Sequence, residues 1–297
     1  ISFEQLLIAT GSRVRKINVS GSELDNIHYL RTIEDVDRIR SGMLKDKELV
    51  IVGGGYIGLE VAAIATQAGM NVRVLETEDR VLQRVTTPTM SNYYTLLHEK
   101  RGVRIHTKTR VIGFEGESSV ERVICENDVF DADLVIVGIG IIPNSELAEK
   151  AGIACENGIT VDERCQTSIP QIYAAGDCTN HPNPLLNRRL RLESVPNAME
   201  QARVCASNMV GKDKIYSSIP WFWSDQYELK LQMVGFSSDG DSEIIRGDMD
   251  ANQFSVFHVK ENKVMAADSV NSPKDFMICK QLIGKEVDLD KLLDESI

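Results

Sequence analysis

Short, unbroken apolar runs recur along this chain, and several close on glycine. Leu49-Val50-Ile51-Val52 runs straight into Gly53, and Leu134-Val135-Ile136-Val137 into Gly138; Leu6-Leu7-Ile8 and Ile172-Tyr173-Ala174 reach Gly11 and Gly176 a few residues on. A strand without polar alternation is buried on both faces, the condition of a parallel sheet covered on both sides. The pattern predicts strands over Gln5–Ala9, Leu49–Val52, Asn71–Leu75, Val103–His106 and Leu134–Val137. Between them it predicts a helix from the glycine turn through Ala68, stopped by Gly69, and a second over Thr89–Lys100. Val111–Phe114, Val120–Cys125 and Asp128–Phe130 suit a short antiparallel meander. Strands alternating with helices over short loops make a doubly wound α/β fold. The repetition of glycine-ended strands suits two nucleotide-binding folds in tandem.

After Pro220 the character changes. Both tryptophans, Trp221 and Trp223, fall together, strands follow over Phe254–Val259 and Val264–Val270, and Ser272-Pro273 opens a helix with proline in its favoured first-turn position. This stretch is expected to be a separate α+β domain.

Bulk composition narrows the function more than the fold. A length of 297 residues suits two or three domains. A net charge of −11 lacks the basic surface that nucleic acid or an anionic membrane requires. No apolar run approaches the ~20 residues of a spanning helix. The opening Ile1-Ser2-Phe3-Glu4-Gln5 carries no cationic leader and no initiator methionine, so the chain is expected to be a piece of a longer protein. The six cysteines (Cys125, Cys155, Cys165, Cys178, Cys205 and Cys279) include no Cys-x-x-Cys pair and no metal-ligand spacing. That scatter suits reduced thiols in the cytoplasm.

The chemistry centres on Gly53-x-Gly55-Tyr56-Ile57-Gly58, placed after an apolar strand and at the start of a helix. In that context the first glycine allows a tight turn, the second lets backbone approach a pyrophosphate, and the third lets helix pack on strand. The helix amides then hold the phosphates. Glu76 ends the following strand, where a carboxylate takes the adenosine ribose hydroxyls and repels a 2′-phosphate, so NADH is expected over NADPH; Arg80 lies near enough to blur that preference. Glu60 sits among Ile57, Leu59, Val61, Ala62 and Ile64. Two readings stay open for it: stabilisation by the helix dipole, or contact with the nicotinamide carboxamide. Asp177, after Ala175-Gly176, is either a turn residue or an acceptor for a ligand hydroxyl. Arg188, Arg189 and Arg191 form one basic cluster in an acidic chain, either a solvated face or a docking edge for an acidic protein. Trp223 is open between core packing and that same surface.

Taken together, Leu6–Ser12, Leu30-Arg31-Thr32, Gly53–Glu60, Gly138–Asn144, Ala174–Cys178, Glu193–Ala198 and Trp221–Tyr227 are very similar to the putidaredoxin reductase and rubredoxin reductase group. These are FAD-dependent, NADH-oxidising ferredoxin reductases of bacterial oxygenase systems. The resemblance covers essentially the whole chain and implies two Rossmann-like domains plus a C-terminal α+β interface domain. It divides the chain into an FAD-binding domain at 1–31 and 139–217, an NAD-binding domain at 32–138 and a C-terminal domain at 218–297. It implies FAD contacts from Arg31, Asp177 and Val195, and NAD contacts from Gly53, Gly55, Ile57, Gly58, Glu60 and Glu76. Glu60 and Trp223 are implied at the catalytic centre, with Trp223 at the docking face of a ferredoxin or rubredoxin, and on the docking reading of the basic cluster Arg188, Arg189 and Arg191 belong to that same surface. The group's first strand and glycine-rich turn, which grip the ADP half of FAD, have no counterpart in these residues, so the FAD domain is expected to be incomplete. Two other readings are a pyridine-nucleotide disulfide reductase, which needs a redox dithiol, and a non-catalytic NAD-binding fragment.

Overall fold

The computed structural model describes residues 2–293. Its centre is a parallel five-stranded sheet in the order Ile27–His28, Leu134–Val137, Glu48–Val52, Asn71–Leu75, Arg104–His106. The register is set by apolar runs lying side by side, Leu49 beside Leu134 and Val72, and Ile51 beside Ile136 and Val74. Ile27–His28, which the sequence reading groups with residues 1–31, hydrogen-bonds to this sheet through Val135 and Ile136.

The two faces of the sheet are covered differently. Leu49, Ile51, Val74, Leu134 and Ile136 point to one side, where they pack with Leu59, Ala62 and Ala65 of the helix Tyr56–Gln67 and with Met90, Tyr94 and Leu97 of the helix Pro88–Lys100. Val50, Val52, Val135 and Val137 point to the other side and meet Val111, Phe114, Val120 and Val123 of the antiparallel meander Val111–Glu115, Arg122–Cys125, Val129–Asp131. The second cover is thus a small sheet. Its strands alternate buried and exposed residues, so one apolar face hides the valines as a helix would.

A smaller unit places Leu6–Ile8 parallel to Ile172–Ala174, with Leu6 opposite Ile172 and Ile8 opposite Ala174. Ser12–Val14 runs antiparallel to Ile141–Pro143, and the helix Val195–Met209 is capped by the Ser194 side chain. His181 lies buried in this unit with neither ring nitrogen hydrogen-bonded among the described residues; its ring stands edge-on to Tyr216 at 5.0 Å. Burial, aided by the Arg189 charge, pushes its pKa down to about 4. The unfolded chain binds this proton near pH 6.5 and the folded chain does not. The stabilising contribution is therefore present above pH 6.5 and is lost as pH falls towards 4, by about 3 kcal/mol. Melting temperatures measured across that window should fall less steeply for His181→Phe than for the parent; parallel curves would assign the loss to other groups.

The C-terminal region is a five-stranded antiparallel sheet in the order Trp221–Gln226, Leu229–Gly235, Lys263–Val270, Gln253–Lys260, Ser242–Asp248. One face carries Val234, Phe257, Val259 and Ala267 against Phe276 and Cys279 of the helix Pro273–Leu282. The other face carries Leu229, Leu231, Met233, Phe254, Val256 and Val270 into the same hydrophobic core as Ile51, Leu59 and Tyr94. The helices Tyr56–Gln67 and Pro88–Lys100 are thus packed between two sheets. No helix among the described residues is long and apolar enough to cross a membrane.

Candidate functional site

The glycine turn is built by backbone crowding. Gly53 has φ +112°, and a Cβ there would stand 2.4 Å from the Gly138 carbonyl oxygen, on the neighbouring strand's own exit. A Cβ on Gly58 would stand 2.2 Å from the Gly53 carbonyl oxygen, which is how closely the helix sits on the turn. At Gly55 a Cβ would meet nothing within 4 Å; that position opens outward. Gly55 caps the helix without a side-chain hydrogen bond, so the first-turn amides keep their donors for an anion. Ile57 is 49% exposed beside them, an apolar lip on a polar cradle.

Glu76 ends its strand buried, with both oxygens in use. Oε2 accepts from the Gly54 N–H at 2.7 Å, and Oε1 from the Glu78 N–H at 2.9 Å and the Thr77 hydroxyl at 3.1 Å. One carboxylate therefore ties the glycine turn to the loop after the next strand. A carboxylate offers about four acceptor sites, so this bracing leaves room for a hydroxyl donor. Arg80 is turned to a different task. Its guanidinium donates to the carbonyls of Gln83, Thr86 and Thr87, closing the loop on itself.

Glu60 lies in the second turn of its helix, and the first turn holds no acidic residue. Dipole stabilisation falls off within the first turn, so the helix end explains this acid poorly. Its partner is elsewhere: the Ser224 hydroxyl donates to Oε1 at 2.6 Å from the C-terminal sheet. Burial and the Asp225 carboxylate raise the Glu60 pKa, while the bonds from Ser224 and the Asp225 backbone oppose the shift. The strand Trp221–Gln226 is seated on the helix by Phe222, whose ring meets Tyr56 edge-on at 5.1 Å. Trp223, next to Ser224 and on the opposite face of the strand, is 38% exposed, its ring 5.9 Å from that of Trp221.

The second cluster forms where Leu6–Ile8 and Ile172–Ala174 end side by side. Gly11 and Gly176 turn there with φ +62° and +87°. Asp177 follows, and its Oδ2 accepts from the Ser12 hydroxyl at 2.8 Å and from Arg31 at 3.2 Å. Val195, the first residue of the helix Val195–Met209, is exposed. An acceptor, a half-exposed guanidinium and an exposed apolar residue at a helix N-terminus fit the ribityl and flavin portion of FAD. Of the sequence candidates, the structure groups Arg31 with Asp177 and Gly53–Gly58 with Glu76, while Glu60 with Ser224 joins the C-terminal strand. Ser12 and Ser224 were missed, because their partners lie far along the chain and no local pattern marks them.

The basic cluster does not present three unpaired charges. Arg188 makes a two-pronged ion pair with Asp239 and lies over the Phe236 ring; Arg189 donates to Asn180 and to the Val161 carbonyl; Arg191 bonds Asn157 and Glu193. Each guanidinium fastens one part of this chain to another.

Comparison with known proteins matches residues 1–202 to the family of pyridine nucleotide-disulphide oxidoreductases and residues 221–297 to a reductase C-terminal family. The putidaredoxin reductase of Pseudomonas putida is 46% identical over all of this chain, which spans 72% of that relative. Rhodocoxin reductase of Rhodococcus erythropolis is 40% identical over 97% of this chain and 68% of its own. Among solved structures, a covalent putidaredoxin reductase–putidaredoxin complex superposes with a TM-score of 0.96 at 46% identity, covering all of this chain and 73% of the other.

Proposed function

The chain belongs to the pyridine nucleotide-disulphide oxidoreductase family, in the putidaredoxin and rubredoxin reductase group, and on that footing we propose that it carries electrons from NADH to a small iron–sulfur ferredoxin or a rubredoxin. Bound FAD supplies the hydride-accepting, one-electron-donating chemistry. The protein's own part is to bind and orient. The Gly53–Gly58 turn and the helix amides hold the pyrophosphate, with Ile57 covering it, and Glu76 takes the ribose hydroxyls. Glu60, one turn further along the same helix, receives the nicotinamide carboxamide. Arg31, Asp177 and Val195 hold the flavin portion of FAD, Asp177 accepting from the ribitol hydroxyls.

The observation that carries the reading is a single strand with two faces. Ser224 faces inward to Glu60, while Trp223, its neighbour, faces out. Contact with the electron donor and contact with the surface are one residue apart. Trp223 marks the docking face. A disulfide reductase would need a redox dithiol; the six cysteines are free, and the neighbouring Cys165 and Cys205 are fully buried in a hydrophobic cluster. Free thiols and an NADH donor also support a cytoplasmic setting. The serving of an oxygenase follows from the same group.

Because Arg80 is committed to carbonyls and Glu76 to the ribose side, NADH should exceed NADPH by roughly tenfold or more in kcat/KM. The test is reduction of a [2Fe–2S] ferredoxin by the FAD-loaded protein with each donor, with rubredoxin and a disulfide as alternative acceptors. Equal donors would remove the Glu76 assignment, and turnover with the disulfide alone would replace the acceptor class.

A further inference from the structure

Glu60 is the end of a longer buried chain of hydrogen bonds that crosses from one domain to another. Ser224 Oγ donates to Glu60 Oε1 at 2.6 Å, and Gln226 Nε2 donates to Ser224 Oγ at 3.1 Å. Gln226 Oε1 lies 2.8 Å from His98 Nε2, and the Tyr227 hydroxyl lies 3.1 Å from His98 Nδ1. Ser224, Gln226 and His98 are fully buried. Because the glutamine amide donates to the serine, its carbonyl must accept, so His98 carries its proton on Nε2 and Nδ1 accepts from Tyr227. Every donor in the series then points the same way, from Tyr227 to the Glu60 carboxylate. Hydrogen bonds aligned in this manner polarise one another.

The far end of the series is held at a cost. Tyr227 adopts φ +56° in the hairpin turn, a region that disfavours aromatic side chains. What keeps it there is packing of its ring, 5.0 Å from His98 and beneath the Arg101 guanidinium at 4.7 Å, together with the hydroxyl's bond to the imidazole. Strain retained at such a residue marks a position the fold over-determines.

We propose that His98, Gln226 and Ser224 are positioning residues that hold the Glu60 carboxyl group aimed, with Oε1 occupied so that Oε2 is left for the amide N–H of the nicotinamide carboxamide. The C-terminal domain thereby sets the geometry of the NADH site, in addition to carrying the docking face. The inference rests on the placement of Glu60 beside the carboxamide proposed above.

The test is equilibrium binding, by calorimetry on the FAD-loaded protein, of NAD+ and of 3-acetylpyridine adenine dinucleotide, which has a methyl group where the carboxamide has its NH2. Ser224→Ala should weaken NAD+ about tenfold, as for a lost charge-assisted bond, and the analogue by less than about twofold. Ser224→Thr, which keeps the hydroxyl, should restore the discrimination. A merely structural role would weaken both ligands alike, and that result would overturn the proposal. Glu60→Ala separates the premise from the inference. If it leaves discrimination intact, Glu60 does not touch the carboxamide; if it removes discrimination and Ser224→Ala does not, the positioning series is wrong. Independently, nitrogen-15 NMR of labelled histidine should show His98 as the neutral Nε2–H tautomer, and a Nδ1–H or charged ring would also overturn the proposal.

Discussion

Replacing Gly53 with alanine is expected to weaken NAD+ binding about a hundredfold and to cost the fold about 3 kcal/mol. Two independent penalties meet at this residue. Its φ of +112° lies where a Cβ is strained, and that Cβ would stand 2.4 Å from the oxygen and 3.0 Å from the carbon of the Gly138 carbonyl. Both are backbone atoms just past a paired strand, tied down by the Gly138 N–H donating to the Val52 carbonyl, so neither can swing away as a side-chain tip would. The turn itself must move, and the helix amides aimed at the pyrophosphate move with it; displacements of about 1 Å are enough to cost two orders of magnitude at a preorganised site. The check is calorimetric titration with NAD+ beside a melting curve, where a shift of roughly 10 °C accompanies the loss. Gly55→Ala is the matched control. It has φ −81° and open space around the new methyl, so it should lose NAD+ while melting as before. Normal NAD+ affinity in Gly53→Ala would show that the pyrophosphate does not rest on this turn.

Arg246→Met should destabilise the C-terminal sheet by about 3–5 kcal/mol. The Arg246 side chain is only 4% exposed and forms a two-pronged pair with Asp275, itself 16% exposed. It also reaches the Leu292 carbonyl and lies 5.2 Å from the centre of the Phe257 ring. Asp275 stands in the first turn of the helix Pro273–Leu282, with Ser255 at 3.0 Å, so this arginine joins the helix to the sheet beneath it. Removing one charge of a buried pair strands the other without solvent, which costs more than the pair contributed. The double variant Arg246→Met with Asp275→Leu should therefore recover most of the loss. Urea unfolding measures both; a single variant that loses less than about 1 kcal/mol would mean the pair behaves as if in water.

The elements that sequence reading found were those whose burial is written locally. Asn71–Leu75 and Leu134–Val137 coincide with their expected bounds because an apolar run is both the strand and the evidence for it. The helix Ile33–Gly42 was not expected. Ile33 and Val36 face solvent and only Ile39 is buried, so no apolar stripe announces it. Its mark is the capping box of Thr32 and Asp35, a polar signal. The meander was legible as strands, but nothing in its own pattern says that it replaces a helical layer. At the site the same division holds. Glycines and a strand-end acid are meaningful by their spacing, and Gly53–Gly58 with Glu76 could be read directly. Glu60's partner lies 164 positions away and that of Asp177 165 away. A serine or a glutamine becomes informative only once the fold has chosen its neighbour. Arg188, Arg189 and Arg191 are neighbours in sequence, but only the fold shows that Arg188 pairs with Asp239 and Arg191 with Glu193 while Arg189 bonds Asn180 and the Val161 carbonyl.

The hydrophobic core shared by the Tyr56–Gln67 helix and the C-terminal sheet bears on how this chain could be recombined. The two family matches leave a gap between residues 202 and 221, which looks like a seam for grafting one reductase's tail onto another. Met233, Phe254 and Val270 lie across that seam in the same packed cluster as Leu59 and Met90, and close-packed interiors register even a single displaced methylene. A chimera cut there would inherit two half-cores from different ancestors. The portable piece is larger than the matched C-terminal stretch: a transplant that keeps its stability has to bring the facing surfaces of the helices Tyr56–Gln67 and Pro88–Lys100 with it.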